Sequence, residues 1–84
     1  DSSVALAPLG EADVAHMLDG LRGKKVLDGF RDLPRCDRAA IAGVAIAVGQ
    51  LLVDHPEIRE VEINPLRVNE ASAVALDALV VLEQ

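Results

Sequence analysis

The stretch Ile58-Arg59-Glu60-Val61-Glu62-Ile63-Asn64-Pro65-Leu66-Arg67-Val68, continued through Asn69-Glu70-Ala71-Ser72 into residues 74–82, decides the fold of this chain. From Ile58 to Asn64 a period-two alternation sets Val61 and Ile63 on one face. Glu60, Glu62 and Asn64 fall on the other, the pattern of a half-buried strand. Pro65 interrupts, and Leu66-Arg67-Val68 continues in extended form. Asn69-Glu70-Ala71-Ser72 has the composition of a turn. Residues 74–82 then form a second strand, in which Asp77 breaks an otherwise apolar run. The whole reads as an antiparallel hairpin.

Upstream of it, His55-Pro56 ends a helix that begins at Asp37, a good N-cap, and runs to about Asp54. Ile41, Val44, Val48, Leu51 and Leu52 mark one face, yet Ala45, Ile46 and Ala47 make the opposite side apolar as well. Such a helix is covered on more than one side. Before it, residues 24–35 form a basic connector with Lys24, Lys25, Arg31 and Arg35, broken by Gly29 and Pro34. Its cations either meet phosphate or CoA or are simply solvated. A first helix starts at Gly10-Glu11-Ala12-Asp13, where acidic residues favour the positive end of the helix dipole. Val14, Met17, Leu18 and Leu21 give it one apolar face, and Gly23 ends it. Val4-Ala5-Leu6-Ala7 reads as a short buried strand closed by Pro8. The order strand, helix, loop, helix, strand, strand predicts an α+β fold, an antiparallel sheet with helices on one face.

Eighty-four residues make one small domain at most. The 51% hydrophobic content is nearly all aliphatic, Phe30 being the only aromatic residue. That excess predicts surfaces covered by more of the same polypeptide, by a partner or by self-association. A chain that opens at Asp1 without a methionine reads as part of a longer protein. The net charge of −6 argues against nucleic acid, which calls for a basic footprint. It remains compatible with a nucleotide, because Mg²⁺ between carboxylate and phosphate inverts the local charge logic. A single cysteine, Cys36, excludes an internal disulfide and gives no metal cluster. The apolar run from Ala39 to Val53 is interrupted by Gln50 and bounded by Arg38 and Asp54. It falls short of the ~20 residues a membrane span needs. With no signal-peptide pattern at its start, the expectation is a cytoplasmic chain with no membrane partner.

Two features go beyond a structural strand pair. Glu62 and Asn64 share a face, and counting outward from the turn brings Asn64 roughly opposite Asp77. Cross-strand neighbours lie ~4.5–5.5 Å apart at Cβ, close enough to share one ion. Mg²⁺ takes one or two protein oxygens and fills its shell with water and phosphate, so an Asn carbonyl and an Asp carboxylate suffice. Spacing alone leaves a second reading open, in which Asn64 starts a turn before Pro65 and Asp77 sits at a strand edge.

Glu62-Ile63-Asn64-Pro65-Leu66, followed after a short hairpin by Ala75-Leu76-Asp77-Ala78, resembles the metal-binding hairpin of succinyl-CoA synthetase β subunits. The resemblance is closer still to the ATP-grasp portion of ADP-forming acetyl-CoA synthetases. It extends through Leu6-Ala7-Pro8-Leu9, Arg22-Gly23 with Leu27, Gly29 and Arg31, Pro34 with Asp37, and Asp54-His55-Pro56-Glu57-Ile58. Asp32 departs from the pattern, which usually has Gly there. The resemblance implies that residues 1–84 are the C-terminal subdomain of an ATP-grasp fold. It also implies that Asn64 and Asp77 hold Mg²⁺ against the phosphates of ATP/ADP or GTP/GDP. Glu62 matches a position that varies between Glu and Asp, with a supporting role at the metal.

The parent implied is an NDP-forming acyl-CoA synthetase, which converts acid, CoA and NTP to acyl-CoA, NDP and phosphate through a phosphohistidine. Neither His16 nor His55 sits in a segment like the phosphorylated one, so no catalytic residue is assigned, and the chain is not expected to catalyse alone. Its implied partners are the remainder of the ATP-grasp domain and a CoA-binding or ligase domain or subunit. A different class remains as the alternative: a degenerate regulatory or docking module, as in acyl-CoA synthetase-like regions fused to acetyltransferases.

Overall fold

The computed structural model describes residues 3–29 and 35–83. Its elements are α1 (Glu11–Asp19), α2 (Lys24–Leu27), α3 (Arg38–Asp54), β1 (Ile58–Ile63), β2 (Leu66–Val68), β3 (Ala73–Ala75) and β4 (Ala78–Leu82). Phe30, Arg31, Asp32 and Pro34, singled out in the sequence, lie outside the described residues.

The strongest local signals act as read. The Asp37 carboxylate accepts the Ala40 N–H at 3.0 Å and starts α3, which runs to Asp54 before His55-Pro56. At α1 the cap is glycine, and the Asp13 carboxylate reaches back to accept the Gly10 N–H at 2.7 Å. That contact is the return half of a capping box. Helix α1 stops earlier than expected, at Asp19 rather than before Gly23. The Gly20 N–H still bonds the His16 carbonyl, but Leu21 closes onto Leu18 as a tighter turn and leaves the helix. Residues 24–27, read as loop, make a short helical turn. Gly29 takes the positive φ of 90° that glycine allows, and the chain changes direction there.

Residues 4–7 do not form a strand. Val4 and Leu6 are 89% and 91% exposed, and no described strand lies beside them. A β run is fixed by its ladder, not by its own composition, so an apolar stretch without a partner stays irregular. The hairpin is also more divided than expected. β1 pairs antiparallel with β4 and β2 with β3, as two separate ladders. The register is nonetheless continuous, with Ile63 facing Ala78 and Leu66 facing Ala75. The turn forms at Asn69–Ser72, where Asn69 Oδ1 accepts the N–H groups of Ala71 and Ser72, both at 2.9 Å.

Helix α3 is the hub. On one side α1 packs against it, with Val14, Ala15 and Leu18 facing Arg38, Ala39 and Ala42. Val14, 2% exposed, is the one buried apolar side chain larger than glycine among the described residues. On the other side Ile41, Val44, Val48 and Leu52 form an apolar groove with Leu9, Ile63 and Leu66. The helix expected to be covered on more than one side thus meets α1 on one side and lines an open groove on the other, with Gly49 its one buried residue. Much apolar surface remains open, including Leu76, Leu79, Val80 and Leu82 of the hairpin.

Three successive residues tie these parts together. The Cys36 N–H bonds the Leu27 carbonyl, and the Asp37 N–H bonds the carbonyl of Asn69 in the hairpin turn, both at 2.7 Å. The Arg38 guanidinium forks onto both oxygens of Asp28 at 2.8 and 3.0 Å and reaches Asp19 at 2.9 Å. The Arg38 hydrogen bond holds the Asp19 carboxyl below the usual carboxylate range. A carboxyl whose folded pKa is depressed stabilises the fold above its unfolded value, about 4, and loses that stabilisation as pH falls through the folded value. Unfolding midpoints of the wild type and Asp19→Asn should therefore differ at neutral pH and converge in acid. Curves that run parallel down to about pH 2, well below the unfolded value, would contradict the assignment.

Candidate functional site

The break between the two ladders is where Asn64 and Asp77 meet. Proline lacks an N–H, so Pro65 cannot donate to the facing strand, and regular pairing stops at Ile63 and resumes at Leu66. Two hydrogen bonds bridge the gap. The Asn64 N–H donates to the Asp77 carbonyl at 3.1 Å, and the Leu76 N–H donates to the Pro65 carbonyl at 3.0 Å. Asn64 and Asp77 are thus held opposite each other by their main chains, as counting outward from the turn predicts.

Both side chains are free for other work. Asp77 Oδ1 accepts the N–H of the following Ala78 at 2.8 Å, which fixes the carboxylate and leaves its second oxygen available. Among the described residues the Asn64 amide and the Glu62 carboxylate have no hydrogen-bond partner, and all three residues are exposed. Ile63 lines the groove against α3, so alternation places Glu62 and Asn64 on the opposite face of the hairpin. Among the described residues no group of three or more His, Cys, Asp or Glu side chains could hold a metal. The hairpin therefore offers a partial donor set of hard oxygens. Such a set suits Mg²⁺, which takes the rest of its octahedron from water and phosphate, and not a metal that needs a closed protein cage.

Elsewhere the titratable groups are engaged or scattered. A polar cleft of about 520 Å³ lies at the start of α3, lined by Asp28, Arg35, Cys36, Arg38 and Glu70, but its Arg38 is already taken by two carboxylates. Sequence reasoning passed over Arg38. The signal was present, since a cation in the first turn opposes the helix dipole and calls for an acidic partner. His55 Nδ1 lies 3.2 Å from Glu57 Oε1 on an exposed turn before β1, at the far end of that strand from Asn64. No described helix is long and apolar enough to cross a membrane.

Comparison with known proteins gives a consistent answer. Residues 1–82 match the ATP-grasp domain family. The ADP-forming acetate–CoA ligase I subunit beta of Pyrococcus furiosus is 34% identical over 82 residues, covering 98% of this chain and 35% of that subunit. The ADP-forming acetate–CoA ligase I of Archaeoglobus fulgidus is 32% identical over 82 residues, 98% of this chain and 12% of that protein. The chain thus spans about a third of the first relative and about an eighth of the second. Among solved structures, the dinucleotide-forming acetyl-coenzyme A synthetase 1 of Candidatus Korarchaeum cryptofilum superposes with a TM-score of 0.92 at 32% identity, over 96% of this chain and 38% of that one. It was solved with coenzyme A and Mg-AMPPCP, its phosphohistidine segment pointing towards the nucleotide binding site.

Proposed function

We propose, since this chain belongs to the ATP-grasp domain family, that residues 1–84 are the C-terminal part of a longer ATP-grasp domain and supply its metal-holding hairpin. The parent activity is that of an NDP-forming acyl-CoA synthetase, which joins a carboxylic acid to CoA while NTP becomes NDP and phosphate. The observation that carries this reading is the Asn64–Asp77 pair, fixed face to face by the Asn64 N–H bond to the Asp77 carbonyl. The names of the relatives described above are those of ligases and synthetases, which favours this reading over a docking module.

Asn64 Oδ1 and the second Asp77 carboxylate oxygen would hold Mg²⁺ between the hairpin and the terminal phosphates of the nucleotide. Bound there, the ion supplies charge neutralisation for phosphoryl transfer. The chain's own contribution is positional. The Asn64–Asp77 and Pro65–Leu76 main-chain bonds fix the spacing of the donors, and the Ala78 N–H orients the Asp77 carboxylate. Glu62, two residues before Asn64 on the same face, would accept hydrogen bonds from water around the ion. The remainder of the ATP-grasp domain covers the exposed apolar surface around Leu79 and Leu82 and closes over the nucleotide.

Calorimetric titration of the intact protein with ADP and ATP, with and without Mg²⁺, tests this assignment. Asn64→Ala and Asp77→Asn should each weaken Mg²⁺-dependent binding by at least about 10- to 100-fold, the loss already seen when only a group that orients a metal ligand is removed. Metal-free binding should be unchanged. Equal Mg²⁺-dependent affinities in both variants and the wild type would refute the assignment.

A further inference from the structure

We propose that Arg67 contacts the terminal phosphate of the nucleotide held at this hairpin; the inference rests on the reading above and adds to it a residue that neither motif nor spacing singled out. It follows from faces. Ile63 and Leu66 both line the groove against α3. Alternation therefore turns Asn64, just before the break, and Arg67, just after it, to the same outer side of the hairpin. Burial agrees, since Leu66 and Val68 are half-buried while Arg67 between them is exposed. Its ladder partner Val74 is exposed as well. Two residues lie between Asn64 and Arg67, a span of at most about 10 Å at the rise of a strand. An extended arginine and a polyphosphate chain together span that distance.

Charge gives the contact its reason. The outer face carries Glu60, Glu62 and Asp77, all of which repel an incoming polyphosphate. In residues 57–83 the cations are Arg59 and Arg67. Arg59 stands at the far end of β1, so Arg67 is the cation near the Asn64–Asp77 end. Among the described residues its guanidinium has no ion-pair partner. A guanidinium offers paired N–H donors that match two phosphate oxygens, and it stays charged at any working pH. Arg67 thus offsets the repulsion that the ion at Asn64 and Asp77 leaves uncompensated.

The test compares AMP, MgADP and MgATP binding to the intact protein and to Arg67→Leu, Arg67→Lys and Asp77→Asn. Arg67→Leu should weaken MgATP and MgADP by about 10- to 100-fold, the range for a hydrogen bond to a charged group, with AMP unaffected. Arg67→Lys, which keeps the charge but not the fork, should fall between. If Arg67→Leu binds all three as the wild type does while Asp77→Asn loses its Mg²⁺ dependence, the arginine proposal is overturned and the hairpin reading stands. Equal weakening of AMP also overturns it, because the effect would not lie at the terminal phosphate. If Asp77→Asn has no effect either, both fall together.

Discussion

Under the proposed function, Asp77→Ala should lower acyl-CoA formation by the intact protein by at least about 10²-fold, the scale for one group aimed at charge that develops in the transition state. The fold should survive. The link from Asp77 to the neighbouring strand is its main-chain carbonyl, which accepts the Asn64 N–H at 3.1 Å and is untouched by the substitution. The side chain contributes one bond to the Ala78 N–H on an exposed segment, so its loss leaves no buried group unpaired. Activity should thus drop while the unfolding midpoint stays within a few degrees of the wild type. A variant that retains full turnover would show that the carboxylate takes no part in the reaction.

Val14→Asp should unfold the packing of α1 on α3. Val14 is 2% exposed and faces a cleft formed with Ala39 and Ala42. An unpaired carboxylate placed there costs about 3–5 kcal/mol. Val14→Ala, which removes two methyl groups, should cost only about 1.5–2 kcal/mol and keep the fold. The Arg38 link to Asp19 cannot compensate for the larger loss, because Asp19 is an exposed partner and such pairs contribute little. Denaturant titration followed by far-ultraviolet circular dichroism distinguishes the two variants. Equal midpoints for Val14→Asp and Val14→Ala would contradict the packing described.

The hairpin was legible because several independent signals agree in one place. Alternation fixed the faces of Val61, Ile63, Glu62 and Asn64, and the Asn69–Ser72 turn fixed the register that sets Asn64 against Asp77. Asp37 and His55-Pro56 likewise marked both ends of α3. What the sequence obscured depends on partners distant in the chain. Val4 and Leu6 have the composition of a strand, but no described strand lies beside them to complete it. The end of α1 is ambiguous in the sequence, since both Gly20 and Gly23 are competent stops and only the hydrogen bonds of Gly20 and Leu21 choose between them. Arg38 bridges carboxylates from two other elements, and no local pattern announces which ones. Arg67 needed the break at Pro65, because uninterrupted alternation from Ile63 would have put it on the α3 side with the apolar residues.

The most direct measurement is anomalous diffraction from crystals of the intact protein grown with Mn²⁺ and a non-hydrolysable nucleotide. A metal peak is expected about 2.0–2.3 Å from Asn64 Oδ1 and from one Asp77 carboxylate oxygen, with phosphate oxygens completing the shell. A metal bound to the nucleotide at a site from which both Asn64 and Asp77 are absent would contradict the assignment.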